Sequence, residues 1–480
     1  MTATTTEAPR TRGPIAGGGV GRTGVLVFVA IALGIAAGRV ITYDRSSDAR
    51  AGAESGDDSP TARIERLEAV VRENPRDVAQ LQALGAAYVQ SVAAGGDVAL
   101  YNDAEAVLER AEELAPTDLR TTVTQGYLAL ARHDFQRARD LGIEAVTADP
   151  FDADALAVTV DAEVELGLYD DATRHLQQLL DVRPGLAAYS RLSYLRELHG
   201  DVLGARQAFA QAEAAGSSRY DLASIAVLRG KLALNQGDLD EADAHFERAR
   251  GHVDKPAGAE AGEARLLAAR GDRAGAIAIL QTAIAERPSA EVAIVLGDLL
   301  RLEGRTAAAE RADEVVRDLA TEERAAGADV NLELGLFEAD RGNPALALEL
   351  ARGAYAVKPG NVTANIAMAW ALRANGQVPE AVGYVDRALR LGTPDALLHF
   401  RAAAVLADAG QTDRAAAELQ TALDINPTFS FGHLEEAEAL ATRLGIASFG
   451  HEYRLNPVLV TKQGVSAAGR SGSRRSAPSG

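Results

Sequence analysis

One small residue returns through about two thirds of the chain at a nearly fixed interval, and that interval limits the folds open to it. Ala104, Ala138, Ala172, Ala205, Ala242, Ala276, Ala309, Ala347, Ala381 and Ala415 stand 34, 34, 33, 37, 34, 33, 38, 34 and 34 residues apart. Five residues before the alanine come Gly167, Gly200, Gly237, Gly271, Gly304, Gly342, Gly376 and Gly410. Twelve residues after it come Pro116, Pro150, Pro184, Pro288, Pro359 and Pro427, with Pro394 one place late. Glycine supplies the left-handed backbone that ends a helix, and proline cannot continue one because it lacks the amide hydrogen. Between these signals apolar residues keep three- and four-residue spacing, as in Ala242, Phe246 and Ala249. Each period reads as a helical hairpin. A hairpin of this size cannot bury its apolar face alone, so neighbours must stack into a solenoid.

Composition agrees with that packing. Hydrophobic residues make up 47% of the chain but aromatics only 5%, so alanine and leucine fill the core, as suits closely approached helices better than sheets. The net charge of −19 argues against a general nucleic-acid binder, which needs a basic surface to displace phosphate counterions. The absence of cysteine removes disulfides, thiolate nucleophiles and zinc–cysteine sites together.

The periodic region resembles the tetratricopeptide repeat. Leu81-x2-Leu84-Gly85-x2-Tyr88 matches the first half of that pattern with leucine in place of tryptophan. Ala242-x3-Phe246 within Gly237–Arg250, and Ala205-x3-Phe209, match the second half. Repeats beginning near 153 and 187 lack the first-helix glycine, and many use leucine for phenylalanine. The resemblance implies an all-α, right-handed α-solenoid of about ten hairpins over residues 61–445. It further implies a noncatalytic scaffold that holds a peptide or protein partner in its concave groove.

Three irregularities are expected to modify the array: a lengthened turn over Ser91–Asn102, an extended second helix before Lys255–Gly258, and a prolonged helix over Arg317–Asp329. Ile64–Glu73 reads as a leading amphipathic cap and His433–Leu444 as a solvating final helix.

Outside the array, residues 1–22 read as a disordered leader, 44–60 as a polar linker and 446–480 as a basic disordered tail. Between leader and linker, Thr23–Gly38 is uncharged and strongly apolar, and counting on to Tyr43 gives the length that crosses a bilayer as one transmembrane helix. Two readings stand: an uncleaved signal-anchor over 23–43, or a signal peptide cut near Ala36-Ala37-Gly38. The first leaves the N-terminus cytoplasmic and the repeats outside on a single-pass membrane protein. The second secretes the repeats.

Signals for chemistry are weak. Gly17–Gly24 lacks the lysine and the strand of a phosphate loop. Arg270-Gly271-Asp272 falls on a repeat turn, and Asn361-Val362-Thr363, a glycosylation sequon, is equally a helix cap. No HExxH pair or nucleophile elbow occurs. No catalytic residue, cofactor site or metal site is expected. His133 and His199 occupy repeat turns, where solvated polar side chains are expected.

In the family the first helix of each hairpin lines the groove. Carried over, the groove slot eleven residues before each aligned alanine holds Tyr127, Asp161, Tyr194, Lys231, Arg265, Asp298, Leu336, Trp370 and Ala404, with Arg301 and Arg373 three residues beyond two of them. Partner-binding candidates are therefore Tyr127, Tyr194, Lys231, Arg265, Arg301, Trp370 and Arg373. Trp370 with Arg373 is a pairing typical of interface hot spots. Lys231, Arg265 and Arg301 read as a basic stripe suited to acidic peptides. Trp370 packed between repeats is the competing reading. A structural assembly component, or an accessory subunit of a membrane transporter or enzyme, is the alternative function. The partner and the oligomeric state are not written in the sequence.

Overall fold

The computed structural model describes residues 60–93 and 95–446. The leader, the apolar segment 23–43, nearly all of the linker and of the tail, and the Gly17–Gly24 motif lie outside the described residues. Within them are 22 α-helices and no strand. No helix among the described residues is long and apolar enough to cross a membrane.

Twenty helices form ten hairpins. The first helices are α2 (Val78–Ala93), α4 (Leu119–Ala131), α6 (Ala153–Leu166), α8 (Leu186–Leu198), α10 (Arg219–Asn235), α12 (Glu260–Ala269), α14 (Ala290–Leu302), α16 (Asn331–Asp340), α18 (Val362–Ala374) and α20 (Ala396–Asp408). Their second helices are α3 (Leu100–Leu114), α5 (Phe135–Ala148), α7 (Tyr169–Val182), α9 (Val202–Ala215), α11 (Leu239–His252), α13 (Arg273–Glu286), α15 (Thr306–Ala325), α17 (Pro344–Val357), α19 (Val378–Ala388) and α21 (Thr412–Ile425). The caps α1 (Pro60–Glu73) and α22 (Leu434–Arg443) stand at the ends, as expected.

The sequence signals do the physical work assigned to them. All ten aligned alanines are completely buried on the second helices. A methyl group is all the space between paired helices admits. The eight turn glycines have φ between 68° and 91°. Six prolines each follow a second helix by two residues. Many helices then open on a side-chain cap: Asp152 accepts from the amides of Asp154 and Ala155, and Ser218 with Asp221 forms a full capping box.

Three expectations need adjustment. The lengthened first turn is shorter than Ser91–Asn102, because α2 runs to Ala93 and α3 starts at Leu100. The helix before Lys255 is not extended, since α11 has 14 residues like most second helices. The prolonged helix is present: α15 reaches 20 residues and carries the chain through Arg317 to Ala325.

The solenoid winds back onto itself. The turn of each of the second to fifth hairpins touches the loop that follows the hairpin five further on. Asp329 N donates to Arg132 O at 2.9 Å, and His133 Nδ1 lies 3.0 Å from Asp329 O. One repeat later Asn361 Nδ2 donates to Glu165 O (2.9 Å), and the amide of Val362 donates to the Tyr169 hydroxyl (3.1 Å). Next Thr393 Oγ1 donates to Leu198 O (2.7 Å), and then Asn426 Nδ2 to Leu234 O (2.9 Å). These four rungs join residues 192 to 197 apart. A first coil, α2–α11, thus lies directly against a second, α12–α21. Apolar packing reinforces the rungs, because one core cluster unites Leu156, Leu176 and Leu198 of the first coil with Ile366, Phe400 and Leu419 of the second.

Two motifs lose their alternative readings here. His133 is not a solvated turn residue: it is the one non-glycine with positive φ (59°) among the described residues, held by its ring nitrogen in a rung. Asn361 is a helix cap, accepting from Ala364 N at 3.0 Å while its amide group is committed to Glu165, which leaves nothing presented for glycosylation.

Candidate functional site: the inner face of the coil

Most successive first helices, such as α2 with α4 and α16 with α18, pack against one another, and the face they share is the inner face of each coil. Helices pack roughly 8–10 Å apart, so side chains two hairpins apart on a flat array would not meet. Here they do. Lys231 on α10 donates to Glu291 on α14 at 3.0 Å, and Arg401 on α20 donates to Asp340 on α16 at 2.9 Å. The inner face is therefore sharply curved, and its polar groups face one another across a narrow interior.

The candidates separate under this geometry. Tyr127, Lys231 and Trp370 are buried, while Tyr194, Arg265, Arg301 and Arg373 are half-buried. The three cations expected to form a basic stripe all face carboxylates. Lys231 holds Glu291, Arg301 pairs with Asp313 and lies 3.7 Å from Asp298, and Arg265 is surrounded by the charges of Glu291 and Asp395. Burial lowers the pKa of Arg265 against the pull of those two carboxylates. An acidic ligand would meet a neutralised face, not a basic one.

Trp370 and Arg373 do come together. The Arg373 guanidinium sits 4.7 Å from the Trp370 ring centroid, and Arg401 lies at 5.7 Å. Trp370 Nε1 donates to Asp340 at 2.7 Å. The tryptophan is thus wedged between repeats with its indole N–H satisfied inward, and the arginine stacked on it reaches Asp408 (2.7 Å) and Glu436 (2.8 Å).

Sequence spacing did not point to the residues that organise this region. Asp340 receives Arg401, Trp370 and His433, whose Nε2 is 3.3 Å away. Burial opposes ionisation of Asp340, but those cationic and hydrogen-bonding neighbours outweigh it and hold its carboxyl well below the usual range. Burial likewise opposes a charge on His433, yet Asp340 and Glu436 raise its pKa to about 9. Arg341 bridges Asp298 (2.7 Å) and Asp313 (3.1 Å). Asp298 occupies the groove slot, and Arg341 stands six residues before its aligned alanine as Arg132 and Arg270 do, so the repeat frame held part of this cluster but not its pairing. A further signal was the eight-residue gap Asn426–His433, with Phe429, Phe431 and His433 at alternate positions.

A second buried group joins the coils. Glu197 on α8 has its pKa raised to about 8, by burial and then by the negative field of Asp395. Asp395, which caps α20, is raised to about 7 by burial, opposed by the Leu398 amide, His399, Arg401 and Arg265. No group of three or more His, Asp or Glu able to hold a metal occurs among the described residues.

Fold and face define an α-solenoid of stacked helical hairpins. A tetratricopeptide-repeat family model matches residues 123–172, 157–220, 261–320 and 366–428, and those segments carry tetratricopeptide repeats. Among curated proteins no sequence match is found. Similar solved structures include a tetratricopeptide repeat protein from Parabacteroides merdae ATCC 43184, with 18% identity, covering 55% of this chain and 98% of that one at a TM-score of 0.35. The APC/C hetero-tetramer Cut9–Hcn1 (15% identity, 80% and 93% covered, TM-score 0.32) and yeast Tom70 (13% identity, 81% and 96% covered, TM-score 0.33) are also similar.

Proposed function

We propose that this protein is a noncatalytic protein-interaction scaffold whose inner face receives a segment of a partner protein. The observation that supports the reading most is the inner face itself. The first helices carry the half-buried Tyr194, Arg265, Arg301 and Arg373, while the second helices bury a repetitive alanine core. Stacked repeats can free such a surface for recognition because the apolar core lies between neighbouring hairpins and, here, between the two coils. Tyr194, Arg265, Arg301 and Arg373 are the candidates a partner reaches directly. Tyr127, Lys231 and Trp370 act by shaping the surface beneath them.

We further propose that the apolar segment 23–43 tethers the repeats to a membrane, with the array on the outer side; cleavage and secretion is the competing fate. Crosslinked pulldown from intact membranes tests the scaffold reading. It predicts a discrete partner that is lost when Trp370→Ala is combined with Arg373→Ala, and survival of every partner unaltered overturns the inner-face assignment. Protease accessibility on intact cells reads the sidedness.

A further inference from the structure

The connection between α21 and α22 behaves unlike the other connections between hairpins. Most second helices pass to the next first helix through three to five residues, such as Ala115–Asp118, Asp149–Asp152 or Lys358–Asn361, while Val253–Ala259 and Leu389–Asp395 take seven. Before α22 the loop is Asn426–His433, eight residues long. The extra residues do not bulge outward. Phe429, Phe431 and His433 are all buried, at 7%, 6% and 8% exposure.

Their contacts run backward along the inner face across several repeats. Phe429 meets Phe400 of α20 with ring centroids 5.2 Å apart. His433 lies 5.3 Å from Phe400 and edge-on to Trp370 of α18 at 5.6 Å, and reaches Asp340 at the end of α16. Gly432 lies against Asp298 of α14, so closely that an added Cβ would come within 2.8 Å of the carboxylate. Phe431 joins the apolar cluster of α12 to α15. Glu436, in the first turn of α22, closes on Arg373 at 2.8 Å. A helix that merely ended the stack needs contact only with α20 and α21. This segment instead crosses the first helices of four hairpins, as an extended ligand in the coil would.

Resting on the interaction reading above, we propose that the inner face of α14, α16, α18 and α20 is a docking site for an extended segment of a partner protein. That segment carries two aromatic residues two positions apart, a cation two further on and a carboxylate three beyond. Phe429–Glu436 is the chain's own occupant of the site. The complementarity is chemical as well as steric. Phe400 accepts one aromatic ring and the apolar cluster of α12 to α15 the other, Asp340 accepts the cation, and Arg373 accepts the carboxylate. Asp298, Arg341 and Asp313 are already mutually paired, and Arg401 shares Asp340 with the cation, so a ligand of this pattern adds no unpaired charge to the interior. A tethered occupant sits at an effective concentration of roughly millimolar, which a partner must exceed in affinity to displace it.

The test uses the full chain and a fluorescent peptide with the sequence of residues 426–437. The wild-type protein is expected to bind it weakly, because its own segment competes. Replacing Phe429, Phe431 and His433 together by serine is expected to tighten peptide binding at least tenfold. Adding Asp340→Asn in that background is expected to reverse most of the gain. Unchanged affinity in a triple variant that keeps wild-type helicity overturns the proposal. Should that variant fail to fold, hydrogen exchange on the wild-type chain decides. Amides of residues 428–437 exchanging far faster than those of α18 and α20 mark a displaceable occupant, and equal rates overturn it. A dimer abolished by the triple substitution makes the occupant a second copy of the chain and overturns the separate partner. Recovery of a partner that crosslinks only to second helices leaves the scaffold reading standing and sinks this one.

Discussion

Gly167 and Gly410 occupy the same place in their repeats, five residues before an aligned alanine, with nearly equal φ of 77° and 75°. Their surroundings differ completely. A Cβ on Gly167 would collide with the Gly360 carbonyl and the Asn361 nitrogen of the second coil. A Cβ on Gly410 would meet nothing within 4 Å, and the same holds for Gly304, Gly342 and Gly376. Gly200 and Gly237 resemble Gly167, with carbonyls of the second coil 3.0 and 3.1 Å from the added atom. The same glycine therefore ends a helix in the second coil, and in the first coil also lets two backbones touch. One local signal serves two purposes, and only the winding of the solenoid separates them.

Substituting the pair is the sharpest way to break that comparison. Gly410→Ala is expected to cost about 1 kcal/mol, the usual strain of a side chain at positive φ. Gly167→Ala carries the same strain plus a backbone clash, and is expected to cost several times as much or to spring the coils apart. Urea denaturation with small-angle scattering reads both, and equal costs with unchanged radius would show the coils do not touch in solution.

Next in size are the rung side chains. Asn361→Ala removes a cap and the bond to Glu165 together, and is expected to lose about 2–3 kcal/mol. Ser289 caps α14 without bridging the coils, so Ser289→Ala should cost only about 1 kcal/mol. His133 supplies a subtler contrast. His133→Ala keeps the strained backbone and loses the contact to Asp329, whereas His133→Gly loses the contact but relieves the strain. Thermal melts should place alanine below glycine by roughly 1 kcal/mol.

A further expected effect is on pH dependence. Glu197 and Asp395 hold their protons to higher pH in the folded chain than in an unfolded one, where carboxyls titrate near pH 4. Folding therefore takes up protons. Stability present near pH 4 is lost as pH rises through about 7 and then about 8, by an amount on the order of a few kcal/mol. His433 adds to the alkaline loss, since its stabilising charge is complete below about 6.5 and disappears through about 9. Glu197→Gln should flatten melting temperature against pH between about 5 and 8. A slope unchanged by that substitution would place the coupling elsewhere.

Much of the array was legible because its signals are local. A buried methyl between paired helices, a positive-φ cap and a proline stop each act within a few residues, so their spacing alone located ten hairpins. The inner face was not legible in the same way. Lys231 reads as an exposed cation until Glu291, two hairpins on, is brought within 3.0 Å. Trp370 was correctly paired with Arg373, but the Asp340, Arg401 and His433 that bury it come from three other segments. Phe429, Phe431 and His433 look like an ordinary loop because nothing local says which surface that loop crosses.

The sequence by itself determined that the chain is a stack of helical hairpins, since a period near 34 with glycine and proline in step admits little else. It also determined which face of each hairpin is core. How tightly the stack winds was decided only in three dimensions, by small rotations between hairpins that accumulate over five repeats and leave no residue signature. That winding brings Gly167 against Gly360, closes Lys231 on Glu291, and lays Phe429–Glu436 across the groove.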